Sequence, residues 1–312
     1  MIKVGLGLPG KSVAEVRASA EAAAPYAFES FSVYGDLGDL PPYGVLHASA
    51  DVLRGTPIRH IGPLGVPVGL QHPEVIATHA MVLEEQLPRQ SSIGLVRGAF
   101  LEALGERPAP LHRLRETIGY IRQRFGNEQV PPLYIGGFGP NILALAGHLA
   151  VDGIKLGGSA NPALAERAAT LINNPAVEIV LGAVSVIDPD RQAARTLART
   201  EVAKYLAVVG ALDPTLDGDE QESLQQFLER FQAADPRAGD AISDALLDRF
   251  ALAGTAEDAL EALESMNGKA ARFEFGTPQG LGERVDAIKY IGEAIIKELG
   301  GRSWTTTSSI WR

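Results

Sequence analysis

The amino-acid sequence predicts an α/β fold, a (β/α)8 or TIM barrel, on three observations. Strand-like and helix-like runs alternate along most of the chain, the strand-like runs number eight, and the 312 residues exceed the roughly 250 typical of such a barrel. Ligands of that fold gather at the carboxyl ends of the strands, so the residues just after each strand-like run are the ones to read for chemistry.

The first strand is expected over residues 2–8, stopped by Pro9-Gly10, with an alanine-rich helix over 12–24 that Ser12 caps. A second strand over 28–34 leads into the loop 35–39 and a helix over about 44–53. The third strand, about 58–68, contains Pro63 and Pro67, which cannot donate to a ladder, so its carboxyl end must be irregular. Pro73 opens a helix to about Leu87, a short fourth strand covers 92–96, and a helix covers 111–125.

Residues 133–159, LYIGGFGPNILALAGHLAVDGIKLGGS, read as one complete βαβ unit. A buried strand ends at Gly136, Gly137 to Gly139 make a turn, Pro140 opens a helix, and a second strand ends in Gly157 and Gly158. A helix is expected over 162–172 and the seventh strand over 177–187. Three helical stretches then follow without a strand between them, at 191–209, 221–231 and 240–250, and form an insertion over about 190–250. It is expected to cross one mouth of the sheet or to form an oligomer contact. Regular order resumes with a helix over 256–266, the eighth strand over 271–275, a turn over 276–280 and a last helix to Leu299. Residues 1–299 are thus expected to be a single domain, and the Ser/Thr-rich residues 300–312 a tail.

Composition narrows the function classes. The 46% hydrophobic and 21% charged residues are those of an ordinary soluble globular protein. A net charge of −10 argues against a nucleic-acid or anionic-membrane surface. The lack of cysteine removes disulfides, thiolate nucleophiles, zinc-thiolate sites and iron–sulfur clusters. The histidines at 47, 60, 72, 79, 112 and 148 show no ligand spacing, so no metal is expected. No apolar run approaches the roughly 20 residues of a membrane span, and the start lacks the marks of a signal peptide, so a soluble, cytoplasmic protein is expected.

The candidate chemistry clusters at strand ends. Gly136, Gly137, Phe138 and Gly139 allow backbone N–H groups to approach an anion at a helix N-terminus. Gly157, Gly158 and Ser159 form a second such cluster, with the Ser159 hydroxyl a possible phosphate donor. Each is equally readable as a tight connection. Arg97, followed by Gly98, is a cation at the end of the fourth strand, suited to phosphate or carboxylate. Asp36 and Asp39 are read as proton-transfer or ribose-binding groups, or as Asx-turn residues. His72 is read as a cavity residue or a helix-start residue, and Thr277 as a substrate contact in the late turn. Glu274 points into the barrel or outward; periodicity does not decide. With no nucleophile elbow, Walker loop or paired carboxylates, chemistry carried by a cofactor is expected.

Several stretches together resemble the luciferase-like superfamily of flavin- and deazaflavin-dependent barrels, and within it the F420-dependent methylenetetrahydromethanopterin reductases. They are GPLGVPVGLQHP at 62–73, the 133–159 unit, FALAGT at 250–255 and FGTPQG at 275–280. The resemblance implies a cofactor, coenzyme F420 or alternatively FMN, with its ring against a third-strand bulge whose non-prolyl cis peptide corresponds to Leu64-Gly65. It places the cofactor's phosphate on Gly137, Gly139, Gly158 and Ser159; Asp36 and His72, read from their positions, are the catalytic candidates. Three departures are visible: Gly7 stands where the reductases carry a glutamate, Gly35-Asp36 replaces an Asp-His pair, and residues 95–99 (LVRGA) lose a glycine and an acid. Val96, bulky where the family has a glycine, is expected to shift the ring or block it.

The leading expectation is therefore hydride transfer between F420 and an electrophilic carbon of a small-molecule substrate, a pterin-bound methylene group being one example, by a homodimer or homotetramer. An FMN-dependent monooxygenase is the alternative within enzymes, and a non-catalytic barrel serving as a binding or assembly subunit is the alternative outside them.

Overall fold

Two-residue alternation of side chains across ten short strands sets the architecture. The computed structural model describes residues 1–35, 38–98, 101 and 105–301. Its strands are β1 (Lys3–Pro9), β2 (Ser30–Tyr34), β3 (His60–Pro63), β4 (Val66–Pro67), β5 (Ile93–Val96), β6 (Leu133–Gly136), β7 (Gly153–Gly157), β8 (Glu178–Ile187), β9 (Ala251–Gly254) and β10 (Arg272–Gln279). Among the described residues these strands pair in parallel, in the order β3-β2-β1-β10-β8-β7-β6-β5-β4, with β9 joined to β8 off that path.

β3 and β4 occupy one strand position, parted at Leu64-Gly65, whose peptide is cis. The Ser92 N–H donates to the Ile61 carbonyl at 2.9 Å, which brings β3 to the start of β5, and β4 pairs with β5 directly. The path therefore returns on itself. Eight positions, with β3 and β4 counted as one and β9 outside, enclose a (β/α)8 barrel with helices between the strands.

The outward face of this barrel is apolar and part of the inward face is not. In β2, Phe31 and Val33 are fully buried against the helices, and in β10 Phe273 and Phe275 are likewise. Each such side chain contributes about 1.5–3 kcal/mol by leaving water. The residues that alternate with them, Ser30, Ser32, Arg272 and Glu274, point inward: both serine hydroxyls reach Glu274 across the inner surface of β1. Gly5 of β1 leaves the room, since a Cβ there would stand 1.9 Å from Ser30 Oγ.

Three elements differ from the sequence expectation. β9 was not expected; its four apolar residues ALAG follow a helix directly and have no alternation to mark them. It extends the sheet from the outer end of β8, taking the side that β7 vacates after Gly157. The expected turn over 276–280 is instead the bulged continuation of β10, whose register with β8 shifts between Gly276 and Gln279. The Gln279 amide holds this end by donating to the Gly7 carbonyl at 3.0 Å and the Phe275 carbonyl at 3.3 Å. The helix expected over 44–53 is two, Pro42–His47 and Ala50–Leu53.

The three helices expected between the seventh and eighth strands are present as Arg191–Val209, Gly218–Gln232 and Asp244–Phe250. They gather around Val186, Leu206, Phe227 and Phe250 in a second apolar cluster, over the carboxyl end of the barrel. Among the described residues no helix is long and apolar enough to cross a membrane.

Candidate functional site

A cavity of about 530 Å3 opens at the carboxyl ends of the strands, within the range of small-molecule and cofactor sites. Its rim is built from main-chain turns. β6 ends in Gly136, and the turn Gly137-Phe138-Gly139 leads into the Pro140–Leu149 helix. Gly139 caps that helix with no side-chain hydrogen bond, and Asn141 and Ile142 of its first turn line the cavity. An uncapped helix N-terminus facing a cavity favours an anion. β7 ends opposite in Gly157 and Gly158; Gly158 has φ +87°, a left-handed conformation that side chains avoid.

The Arg191–Val209 helix and the Gly210–Leu212 turn supply a second wall through Tyr205, Val208, Val209 and Leu212. A hydrogen-bond network pins this wall to the β7 turn. Asn161 donates to Asp213 and Thr215, at 2.8 Å each, and accepts from Arg249 at 2.9 Å; Arg249 in turn reaches Glu220 at 2.6 Å. The helical insertion is therefore part of the cavity.

The floor is electrostatic. Lys155, from the centre of β7, lies 5% exposed with its ammonium 2.5 Å from Glu274 Oε2 and 4.7 Å from the centre of the Tyr34 ring. The other Glu274 oxygen accepts from Ser30 at 2.8 Å and Ser32 at 3.0 Å and stands 3.8 Å from Arg272 Nε. Burial opposes ionisation of Glu274, but the charges of Lys155 and Arg272 and the hydrogen bonds outweigh it and hold the carboxyl below its usual range. Below this network Arg272 stacks on the Tyr134 ring at 4.8 Å.

Most residues expected at the site meet here. Leu64, Gly65, Arg97, Gly98, Gly136, Gly137, Phe138, Gly139, Gly157, Gly158 and Thr277 all line the cavity. Arg97 is anchored by its Nε–H to the Ala109 carbonyl. Val96 Cγ1 fills the space that a Cβ on Gly65 would enter, and the cavity stays open beside it. Ser159 and His72 stand elsewhere. Ser159 is fully buried behind the wall, where its hydroxyl accepts from Asn161 N–H at 3.1 Å and its backbone bridges to Gly182. His72 is exposed and caps the Pro73–Gln86 helix, its Nδ1 accepting from Glu74 N–H at 3.2 Å, because Pro73 starts that helix at once. Asp36 lies outside the described residues, as does Ala99. Asp39 pairs with Lys11 at 3.2 Å.

Sequence reading missed Lys155, Tyr34 and Arg272. The signals were present: a lysine amid the buried strand GIKLG, and arginine and glutamate two apart in RFEF, hence on one face. Gly7, the departure in β1, is also explained, because the Tyr34 hydroxyl occupies the space a side chain at Gly7 would need, 1.7 Å from its Cβ position. Among the described residues no group of three or more His, Asp or Glu side chains is placed to hold a metal ion.

A parallel eight-position barrel with a glycine-turn cavity at its carboxyl end is a common enzyme frame, and sequence comparison specifies which. Residues 2–272 match the luciferase-like monooxygenase family, and the chain belongs to it. Members of this family are oxidoreductases. A curated relative, the 5,10-methylenetetrahydromethanopterin reductase of Archaeoglobus fulgidus, is 27% identical over 228 residues, 61% of this chain and 67% of the relative. Among solved structures, the coenzyme F420-dependent tetrahydromethanopterin reductase of Methanopyrus kandleri superposes with a TM-score of 0.79 at 17% identity, covering 95% of this chain and 99% of that one. The FMN-bound oxygenating constituent of 3,6-diketocamphane monooxygenase from Pseudomonas putida gives a TM-score of 0.66 at 14% identity, covering 96% and 98%. At these identities the two structures share the fold.

Proposed function

We propose that the protein is an F420-dependent oxidoreductase that exchanges a hydride between the cofactor and an electrophilic carbon of a small molecule, a methylene-tetrahydromethanopterin-like compound being one such substrate. The observation that carries this reading is the cavity itself: a glycine turn, an uncapped helix N-terminus and Arg97 at one end, with Leu64-Gly65 and Val96 beside them. These residues fit the group. The phosphate-bearing tail would rest on Gly136 to Gly139 and Gly157-Gly158 with Arg97 nearby, and the ring system would lie against Leu64, Gly65 and Val96. The similarity to the Archaeoglobus reductase supports F420 as the group.

When bound, the cofactor supplies the hydride chemistry; the protein's part is orientation and exclusion of water. The apolar wall of Phe138, Tyr205, Val208 and Leu212 serves the second purpose, and Thr277, which lines the cavity near the end of β10, would contact the substrate. FMN is the second reading, favoured by the match to a monooxygenase family over most of the chain. Mixing the protein separately with F420 and FMN, and following ligand fluorescence, tests the proposal. Micromolar binding of F420 is expected; binding of FMN alone would favour the monooxygenase, and binding of neither would overturn both and leave a non-catalytic barrel.

A further inference from the structure

The floor of the cavity carries a feature that the fold does not require. A buried ion pair contributes little to stability, because removing two charges from water costs about as much as their attraction returns. β7 nevertheless places a lysine on its inner face, between Ile154 and Leu156, which are fully buried on the other. The barrel is shaped around it: a Cβ on Gly182, two residues past the partner of Lys155 in β8, would stand 2.9 Å from Lys155 Cε. The chain bears a net charge of −10, yet among the described residues that line the cavity the charged ones are Lys155 at the floor and Arg97 at the rim, with no carboxylate. Glu274, whose carboxylate touches Lys155, lies beneath the lining and is shared with Arg272, Ser30 and Ser32.

We propose that Lys155 is the charge-recognising residue of the cavity floor, favouring the reduced, anionic form of the bound ring over the oxidised form. The inference rests on the cofactor reading above. A hydride taken from a donor carbon without a proton brings two electrons and one negative charge to the ring, while the donor carbon loses the same two electrons. A cation fixed at the floor meets that charge and lowers its energy without having to reorganise. Arg97 at the rim, by contrast, meets a tail whose charge does not change with oxidation state.

The two cations therefore separate by experiment. The probes are FMN and F420, each titrated under anaerobic conditions in oxidised and reduced form. Lys155→Met weakens the reduced form about tenfold more than the oxidised form, which lowers the two-electron midpoint potential of the bound cofactor by about 30 mV. Arg97→Ala weakens both forms alike and leaves the potential unchanged. Glu274 keeps Arg272, Ser30 and Ser32 as partners when Lys155 is removed; should the single variant fail to fold, the charge-neutral pair Lys155→Met with Glu274→Gln gives the same readout. Equal weakening of both forms, or of neither, overturns the inference while the cofactor reading stands. Wild-type protein that binds neither probe in either form overturns the cofactor reading and the inference with it.

Discussion

The rim and the floor of the cavity are made in opposite ways. Apart from the Arg97 side chain, the rim is main chain: glycine turns and a helix N-terminus, drawn from the 27 residues 133–159. The floor is side chain: Lys155 and Glu274 are 119 residues apart, and Ser30 and Glu274 are 244 apart. A surface built from turns tolerates different ligands' tails, whereas a buried charge network is specific to one charge distribution. The difference implies that changes at the floor act first on stability and cofactor electronics, and changes at the rim act first on affinity.

The largest expected effect comes from breaking the floor. Glu274→Ala leaves Lys155 and Arg272 buried without their shared carboxylate and is expected to cost about 3–5 kcal/mol, read as a lowered urea midpoint. A carboxylate away from the cavity gives a comparison. Glu29, which pairs with Lys3 at 2.8 Å and lies 3.5 Å from His60, is held at a pKa of about 2 against an ordinary 4.5; burial pushes it up, but the hydrogen bonds and charges of His60 and Lys3 prevail. Its lowered pKa contributes stability that is fully present above pH 4.5 and is lost as the pH falls toward 2. The advantage of wild type over Glu29→Gln, on the order of 3 kcal/mol at neutral pH, is expected to shrink across that window in urea titrations at stepped pH.

Between floor and rim stands Asn161. Its replacement by alanine removes the cap of the Pro162–Ile172 helix and the link to Asp213, Thr215 and Arg249, at a cost of about 2 kcal/mol. Limited proteolysis of residues 210–217 would report the loosened wall. The smallest effect on stability belongs to the rim. Gly158→Ala must hold a left-handed backbone and is expected to cost about 1–2 kcal/mol, with a larger loss of cofactor affinity than of thermal stability.

The same contrast explains what was legible in the sequence. The glycine turns, Pro140, Arg97 and the irregular third strand are local signals, and each lies where its neighbours in sequence place it. The barrel followed from alternation, and β9 escaped because four apolar residues carry no period. The floor required knowing which strands face one another. Arg272 and Glu274 share a face by periodicity, but only the order of β1, β2 and β10 shows that this face is the interior and that Ser30 and Ser32 complete it. For His72 the helix-start alternative is the one realised, and Ser159 lies behind the wall: a histidine before a proline and a serine after a glycine pair satisfy local backbone groups first.

The central claim, that the glycine-walled cavity holds a flavin-type cofactor, is tested most directly by equilibrium binding of F420 and FMN to wild type and to Gly136→Val, whose side chain would grow from a Cβ already 2.8 Å from Val96 Cγ1. Micromolar binding of at least one cofactor by wild type is expected, at least tenfold weaker in a variant whose urea midpoint shows that it still folds. Equal binding by the two proteins, or none by wild type, would contradict the claim.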